Sequence, residues 1–246
     1  MSRIAQIWRH PIKGIGAEPL ESAVLSPNLP LPGDRAWALL TGDNSDTGTW
    51  QPCRVFARGC YGPQLMAITA RTLDDGQIAL SHPQAGELTV NPARDGAALA
   101  AWLAPLWPAT RPALGALIAA PEEGMSDAPY GCLSILGRAS LGALSEACGT
   151  PLDQRRFRGN VWISGLEPWE ELDWPGRRIR LGDVELEVVE RITRCRATQV
   201  NPETGDEDVQ TLRTLRRTWG HVDFGVKAKV LSPGTIASGA PLEVLQ

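Results

Sequence analysis

The chain has little of what most metal, nucleotide and membrane sites are built from. Its 246 residues include only three histidines, at widely separated positions, which are too few for a typical zinc site. It contains no GxGxxG, P-loop, GxSxG or HExxH motif, so nucleotide-binding and hydrolase functions lack their usual support. The most apolar stretch, 97–120, is interrupted by Pro105, Pro108, Arg111 and Pro112. We therefore expect no transmembrane helix.

Cysteine and charge narrow the function further. The five cysteines form no CxxC pair and no spacing typical of zinc or iron–sulfur sites. An odd number of cysteines without a secretion signal predicts reduced thiols and a cytoplasmic location. The net charge of −4 gives no general attraction to nucleic acid or anionic membranes, and we expect neither as a partner.

The pattern of apolar residues predicts a mainly β fold with short helices. The 25 glycines and 20 prolines are spread along the chain and favour many short strands and turns. Apolar residues alternate over 224–230 and on both sides of the Gly182-Asp183 turn, as in half-buried strands. Helical spacing occurs at 97–103, 139–148 and 209–219. The proline-rich stretch 105–112 predicts a boundary between an N-terminal module, residues 1–112, and a second domain, residues 113–246.

Cys195 is the cysteine with the most reactive surroundings, since it lies in the basic segment Arg191–Thr198. Thiolates bind soft metals, and a nearby guanidinium favours the thiolate. In a regular strand, Arg194 and Arg196 would point away from Cys195, so they approach the sulfur only if the chain bends. The alternative is a buried structural cysteine, which is how we interpret the other four.

Two further basic groups suit an anionic ligand. The first is Arg155–Arg158, whose three arginines could hold a phosphate through paired donors. The second consists of Lys13, which follows Pro11, and Arg35 in a Gly-Asp-Arg sequence. Taken alone, each of these is more often a solvated surface charge than part of a binding site.

In combination these segments resemble the MOSC family, named for the C-terminal domain of molybdenum cofactor sulfurases. The family includes the amidoxime-reducing components and their bacterial homologues. The resemblance covers nearly the whole chain and implies a MOSC-type β-barrel plus a smaller N-terminal β-rich module. It is carried by eight short motifs: His10–Gly14, Gly33–Arg35, Arg156–Asn160, Trp174–Gly176, Arg178–Gly182, Thr193–Arg196, Val200–Gly205 and Phe224–Gly225.

The resemblance also implies a site and a reaction. Cys195 would be the catalytic residue and the protein ligand of the molybdenum. The pterin and its phosphate would be bound by Lys13, Arg35, Arg158, Asn160, Thr193 and Arg194. The implied activity is reduction of N-hydroxylated or N-oxide compounds. The alternative is a non-catalytic carrier of the molybdenum cofactor, or a sulfur carrier with a persulfide on Cys195.

The implied partners are a small-molecule substrate and separate electron-transfer proteins of the ferredoxin, flavin reductase or cytochrome type. We expect no iron–sulfur cluster and no pyridoxal phosphate in this chain. Lys227 stands where the amidoxime-reducing relatives have a tyrosine. It either points into solvent or adds a cation near the pocket.

Overall fold

The computed structural model describes residues 1–245, so Gln246, the end of the predicted second domain, lies outside the described residues. Most of the regular structure is strand, as predicted. The strands are β1 (Arg3–Arg9), β2 (Glu18–Leu20), β3 (Ser22–Leu25), β4 (Trp37–Thr41), β5 (Thr69–Thr72), β6 (Ile78–His82), β7 (Gly86–Val90), β8 (Leu114–Ala119), β9 (Leu133–Gly137), β10 (Val161–Ser164), β11 (Arg178–Leu181), β12 (Val184–Thr193), β13 (Asp223–Val230), β14 (Gly234–Ala237) and β15 (Leu242–Val244).

Three short α-helices lie close to the predicted positions. They are α1 (Gly96–Leu103), α2 (Arg138–Cys148) and α3 (Thr211–Trp219). The helix α2 ends at Gly149, which adopts a left-handed conformation and donates its backbone N–H to the last turn. Short 3₁₀ turns precede or follow several strands, and two of them, at Gln154–Phe157 and Arg196–Gln199, border the cavity described below.

One eight-stranded sheet dominates the fold, in the order β15-β11-β12-β13-β9-β10-β1-β2. Its strands alternate as predicted: Val184, Leu186 and Val188 of β12 are buried, whereas the intervening Glu185 and Glu187 are not. The buried side chains of these strands form one hydrophobic core. Backbone hydrogen bonds join the start of β1 to the segment before β15. The strand order nevertheless stays open at β15 and β2, so the sheet is not a closed barrel.

The smaller N-terminal part has its own core. It contains the three-stranded sheet β5-β6-β7, the pair β4-β8 and the helix α1. Three strand pairings cross the predicted boundary at residue 112, because β8 pairs with β4, β10 pairs with β1 and β14 pairs with β3. The division into 1–112 and 113–246 therefore stays a prediction. Within residues 1–245, no helix is both long and apolar enough to cross a membrane.

Candidate functional site

A cavity lies where the two cores meet and encloses about 970 Å³ of space, part of it open to solvent. Its walls come from the loops after β1, on both sides of β4, and before β9 and β10, and from the end of β12. The residues singled out from the sequence all line it: Lys13, Arg35, Arg158, Asn160, Thr193, Arg194 and Cys195. The fold thus brings together side chains that are up to 182 positions apart in the chain, from Lys13 to Cys195.

Arg35 and Arg158 reach the cavity from strained backbone. Their φ angles are +50° and +46°, and they are two of the four non-glycine residues with positive φ in the described chain. Such conformations cost about 1–3 kcal/mol and persist only where the surrounding structure enforces them. The two arginines are also linked, since Arg35 Nη2 donates to the backbone oxygen of Arg158 over 3.0 Å. Holding both guanidinium groups at the cavity therefore lowers the stability of the folded chain.

The cations of this cavity differ in their counter-charges. Lys13 is buried and donates from Nζ to Asp127 Oδ1 over 2.5 Å, and Arg35 pairs with Asp34. Among residues 1–245, Arg158, by contrast, donates only to backbone oxygens at the turn of residues 12–16.

Arg194 also lacks a carboxylate within ion-pairing distance among the described residues. It donates to the backbone oxygens of Phe157 and Phe224. Burial lowers the pKa of Arg194 to about 10. Burial, and then the nearby Arg35 charge, lowers the pKa of Arg158 to about 9. Both shifts show positive charge held out of water without enough negative charge beside it, which an anionic ligand would supply.

Two buried side chains, His10 and Asp34, lie beside the arginines of the cavity. The ring of His10 lies with Nδ1 3.2 Å from Asp34 Oδ1, and its backbone N–H donates to the same oxygen. Burial, and then the Arg158 charge, lowers the pKa of His10 to about 3, so the ring is neutral at physiological pH. Burial alone would raise the pKa of Asp34, but Arg35 and His10 lower it. Asp34 is therefore an anion that fixes Arg35.

Asn160 and Thr193 are placed at the wall but are already engaged with the protein. Asn160 Oδ1 accepts from the hydroxyl and backbone N–H of Ser134, and its Nδ2 donates to the backbone oxygen of Trp8. Thr193 donates from Oγ1 to Asp223 over 2.7 Å. The structure brings both residues to the cavity, and their role in ligand binding stays a prediction.

Cys195 stands at a bend and is exposed. Strand β12 ends at Thr193, and the chain enters the 3₁₀ turn Arg196–Gln199 directly after Cys195. The sequence analysis requires a bend here if the neighbouring arginines are to approach the sulfur. The structure has such a bend, because the strand ends before Cys195. The hydrogen bond that the Cys60 thiol donates lowers the pKa of Cys195, and the Arg194 charge acts in the same direction.

The sequence interpretation missed the other thiols of the cavity. Cys53, Cys60 and Cys132, which the sequence interpretation makes structural, line it together with Cys195. Arg58 also lines it and donates from Nη1 to Cys53 Sγ over 2.7 Å. Cys53 and Cys60 lie in the connection between β4 and β5, whereas Cys132 precedes β9 and Cys195 follows β12. Only the tertiary fold joins these segments, so their spacing in the sequence carries no signal. Cys148 lies elsewhere, at the end of α2.

Lys227 lines the cavity and is not a solvated residue of the outer face. Its side chain is 16% exposed, and Nζ donates to Glu190 Oε1 over 3.0 Å. Of the two alternatives left by the sequence, the second is confirmed: Lys227 adds a cation near the pocket.

The donor set limits how a metal could be held. Across residues 1–245 there is no group of three or more His, Cys, Asp or Glu side chains arranged for a metal ion. A metal here would need most of its ligands from another molecule. The cavity offers such a molecule one exposed thiol and several cations.

Comparison with known proteins agrees with this picture. Residues 1–106 match the MOSC N-terminal beta barrel domain and residues 125–243 match the MOSC domain, which together span most of the chain. The mitochondrial amidoxime-reducing component 1 of Homo sapiens is 25% identical, over 98% of this chain and 82% of that protein. The same component of Xenopus laevis is 24% identical, over 87% and 71%. The molybdenum cofactor sulfurase of Caenorhabditis elegans is 30% identical, over 42% of this chain but 14% of its own length.

Proposed function

This chain belongs to the MOSC family, and we propose that its cavity binds a molybdenum cofactor of the molybdopterin type with Cys195 as the metal ligand. One observation carries the proposal: Arg158 and Arg194 are held in the cavity with only backbone oxygens as partners among the described residues. Hydrogen bonds from guanidinium to phosphate are among the strongest in proteins. A pterin phosphate would supply the missing negative charge.

The rest of the donor set fits the same group. Lys13 and Arg35 add two positive charges, already partly neutralised by Asp127 and Asp34. The exposed Cys195 offers the soft ligand that molybdenum requires, and the dithiolene of the cofactor would supply the ligands that the protein lacks. When bound, the cofactor would supply two-electron oxygen-atom chemistry. The residues of this chain bind it, orient it and set the charge around it.

We further propose that the protein is a reductase of N-hydroxylated or N-oxide compounds that takes electrons from separate proteins. The similarity to amidoxime-reducing components along nearly the whole chain supports this reaction class. The open cavity mouth and the exposed Cys195 are compatible with a small-molecule substrate. Donors of the ferredoxin, flavin reductase or cytochrome type are the candidates, and the cytoplasm is the proposed location.

The test is molybdenum per protein, measured by elemental mass spectrometry on protein from a cofactor-producing host. We expect near-stoichiometric metal in the wild type and a strong loss in Cys195→Ser and Arg158→Ala. The matched control is Arg155→Ala, because Arg155 belongs to the same basic segment but pairs with Asp153 and does not line the cavity. Folded wild-type protein without metal would overturn the cofactor proposal.

The reductase proposal needs its own assay, with an aromatic amidoxime as substrate and a reduced viologen as electron donor. Metal-loaded wild type should convert the amidoxime to the amidine, whereas Cys195→Ala should not. A metal-loaded but inactive wild type would leave the carrier function as the better account, and an active Cys195→Ala would exclude Cys195 as the catalytic residue.

The second candidate function is a sulfur carrier, which the presence of the Cys60 thiol beside Cys195 favours. A neighbouring thiol can release sulfide from a persulfide by forming a disulfide. Mass spectrometry after loading with a sulfur donor should then find a labile persulfide on Cys195 in metal-free protein. Its absence would count against this function.

A further inference from the structure

Cys60 and Cys195 come from distant parts of the chain and meet in the cavity. Both line it, and the neighbouring Cys60 lowers the pKa of Cys195. The segments that carry them approach each other, since a Cβ added to Gly59, the neighbour of Cys60, would lie 3.6 Å from the Cβ of Ala197. Disulfide formation requires backbones that approach closely. The approach of these two segments is compatible with a disulfide between their thiols.

The two thiols differ in their access to solvent. Cys195 is exposed at the cavity mouth, whereas Cys60 is only 6% exposed. An oxidant that enters from solvent reaches Cys195 first. Cys60 is sheltered from the oxidant but lies beside the sulfur that the oxidant attacks. An exposed reactive thiol next to a sheltered second thiol is the usual arrangement of redox-sensing cysteine pairs.

The remaining thiols of the cavity have other partners. Cys53 accepts a hydrogen bond from Arg58 over 2.7 Å. Cys132 is buried and lies 3.8 Å from the hydroxyl of Ser126. Among the described residues, Cys60 has no such arginine or hydroxyl hydrogen-bond partner, and its segment approaches that of Cys195.

We propose that Cys60 is a resolving thiol for Cys195, so that a hydroperoxide converts the pair into an intramolecular disulfide. In the first step the Cys195 thiol reduces one hydroperoxide to its alcohol, which is water when the oxidant is hydrogen peroxide, and becomes a sulfenic acid. In the second step the Cys60 sulfur attacks the Cys195 sulfur, a disulfide forms, and the sulfenic oxygen leaves as water. Two thiols lose two electrons in total, and one peroxide gains them.

The disulfide would have two consequences. It stops Cys195 at a reversible stage, whereas an unprotected sulfenic acid can proceed to sulfinic and sulfonic acids. It also withholds Cys195 from a metal, a consequence that rests on the proposed function. Reduction by a dithiol would return both thiols. The reactive cysteine would thus be protected while it waits for cofactor.

The experiment uses metal-free, full-length, reduced wild-type protein treated with one equivalent of hydrogen peroxide. Titratable thiols should fall from five to three per chain. A non-reduced digest should contain a peptide that joins Cys60 to Cys195 and disappears with dithiothreitol. Sulfinic acid on Cys195 without that linked peptide would overturn the proposal, and so would a linkage of Cys195 to Cys53 or Cys132.

Variants sharpen the result. Cys60→Ser should lose the linked peptide, accumulate dimedone-reactive Cys195 and oxidise beyond the sulfenic stage. Cys53→Ser and Cys132→Ser are the matched controls, since they remove other thiols of the same cavity, and both should still form the link. Cys60→Ala replaces Cys60→Ser if a hydroxyl at this buried position prevents folding. A dimedone yield in Cys60→Ser equal to that of the wild type would contradict the resolving role.

The outcome is separable from that of the proposed function. Protein that forms the linked peptide but never binds molybdenum would contradict the cofactor proposal and support the thiol pair. Protein that binds molybdenum but forms no linked peptide would support the cofactor proposal and contradict the thiol pair.

Discussion

The cavity has two halves built on different physics. The cationic half, which we define as Lys13, Arg35, Arg158 and Arg194, is held by backbone oxygens, two carboxylates and strained backbone. The thiol half, defined as Cys53, Cys60 and Cys195, is formed by 3₁₀ turns and loops and ends in an exposed sulfur.

The difference indicates a division of labour. A half whose charges are fixed before a ligand arrives needs little reorganisation to bind an anion. A half that exposes one sulfur and shelters another is suited to ligation and redox change. Binding and reactivity should therefore respond to separate substitutions, and each prediction below tests that separation.

The largest effect is expected for Arg158→Ala, which removes a guanidinium from the cationic half. Because a hydrogen bond to a charged group contributes about 1.5–3 kcal/mol, cofactor affinity should fall by roughly 10- to 150-fold. The measurement is copurified pterin and molybdenum, beside Arg155→Ala as control. Iodoacetamide should label Cys195 at the same rate in metal-free wild type and variant. A parallel change in labelling would show that the halves are not independent.

Substitution of Gly14 should damage both halves together. Gly14 has a φ of +75°, and a Cβ there would lie 2.5 Å from the backbone oxygen of Ala57 and 2.8 Å from the Cα of Arg58. Gly14 follows Lys13, while Arg58 lies between Cys53 and Cys60 in the chain, so this contact joins the halves. Positive φ and backbone overlap together should cost Gly14→Ala about 2–4 kcal/mol of unfolding free energy.

Chemical denaturation measures this loss, with Gly76→Ala as control. Gly76 also has positive φ, at +79°, but has open space around it and lies away from the cavity. Gly76→Ala should show the conformational strain without the overlap. If the two variants lost the same free energy, the close contact at Gly14 would be excluded as the cause.

Much of the fold could be predicted because its signals are local. The alternation of Val184, Leu186 and Val188 marks one face of a strand whatever the sheet around it, and α2 ends where Gly149 predicts. Sheet order is not local. That β1 would pair with β10, across the predicted boundary, depends on contacts more than 150 residues apart, which no periodicity records.

The site was predictable to the extent that motifs mark it. Lys13, Arg35, Arg158, Arg194 and Cys195 were each found in a short basic or glycine-flanked motif, and the structure brings them to one cavity. Cys60 could not be found this way, because its neighbours in sequence resemble no binding motif. Only the tertiary fold reveals it, by placing it in the same cavity as Cys195.

Alkylation of metal-free protein should separate exposed from buried thiols of the cavity. Iodoacetamide at neutral pH should modify Cys195 at least about tenfold faster than Cys132, because alkylation requires an accessible thiolate. The hydrogen bond from Cys60 lowers the pKa of Cys195, whereas burial raises the pKa of Cys132. Peptide mass spectrometry over a time course measures both rates. Equal rates would mean that the sulfur of Cys195 is not presented to solvent.

The smallest expected effect is on the pH dependence of the unfolding free energy, and it comes from His10, which lies beside the cationic half. Since the pKa of His10 falls from 6.5 to about 3 on folding, the unfolded chain binds more protons than the folded one between these values. Unfolding free energy should then decrease as pH falls from 6.5 towards 3, by at most about 1.4 kcal/mol per pH unit from this group. His10→Asn removes the titration and should flatten the slope, as urea unfolding at pH 7, 6 and 5 would measure.

Arg158→Met should also make the slope shallower. After burial, the Arg158 charge is the largest contribution that lowers the pKa of His10, and its removal lets that pKa rise. The folded state would then take up its proton at a higher pH, which narrows the range in which the two states differ. Cys60→Ser, which changes only the thiol half, should keep the wild-type slope. A slope altered by Cys60→Ser as much as by Arg158→Met would mean that the charge network extends across the whole cavity and that the division into halves is wrong.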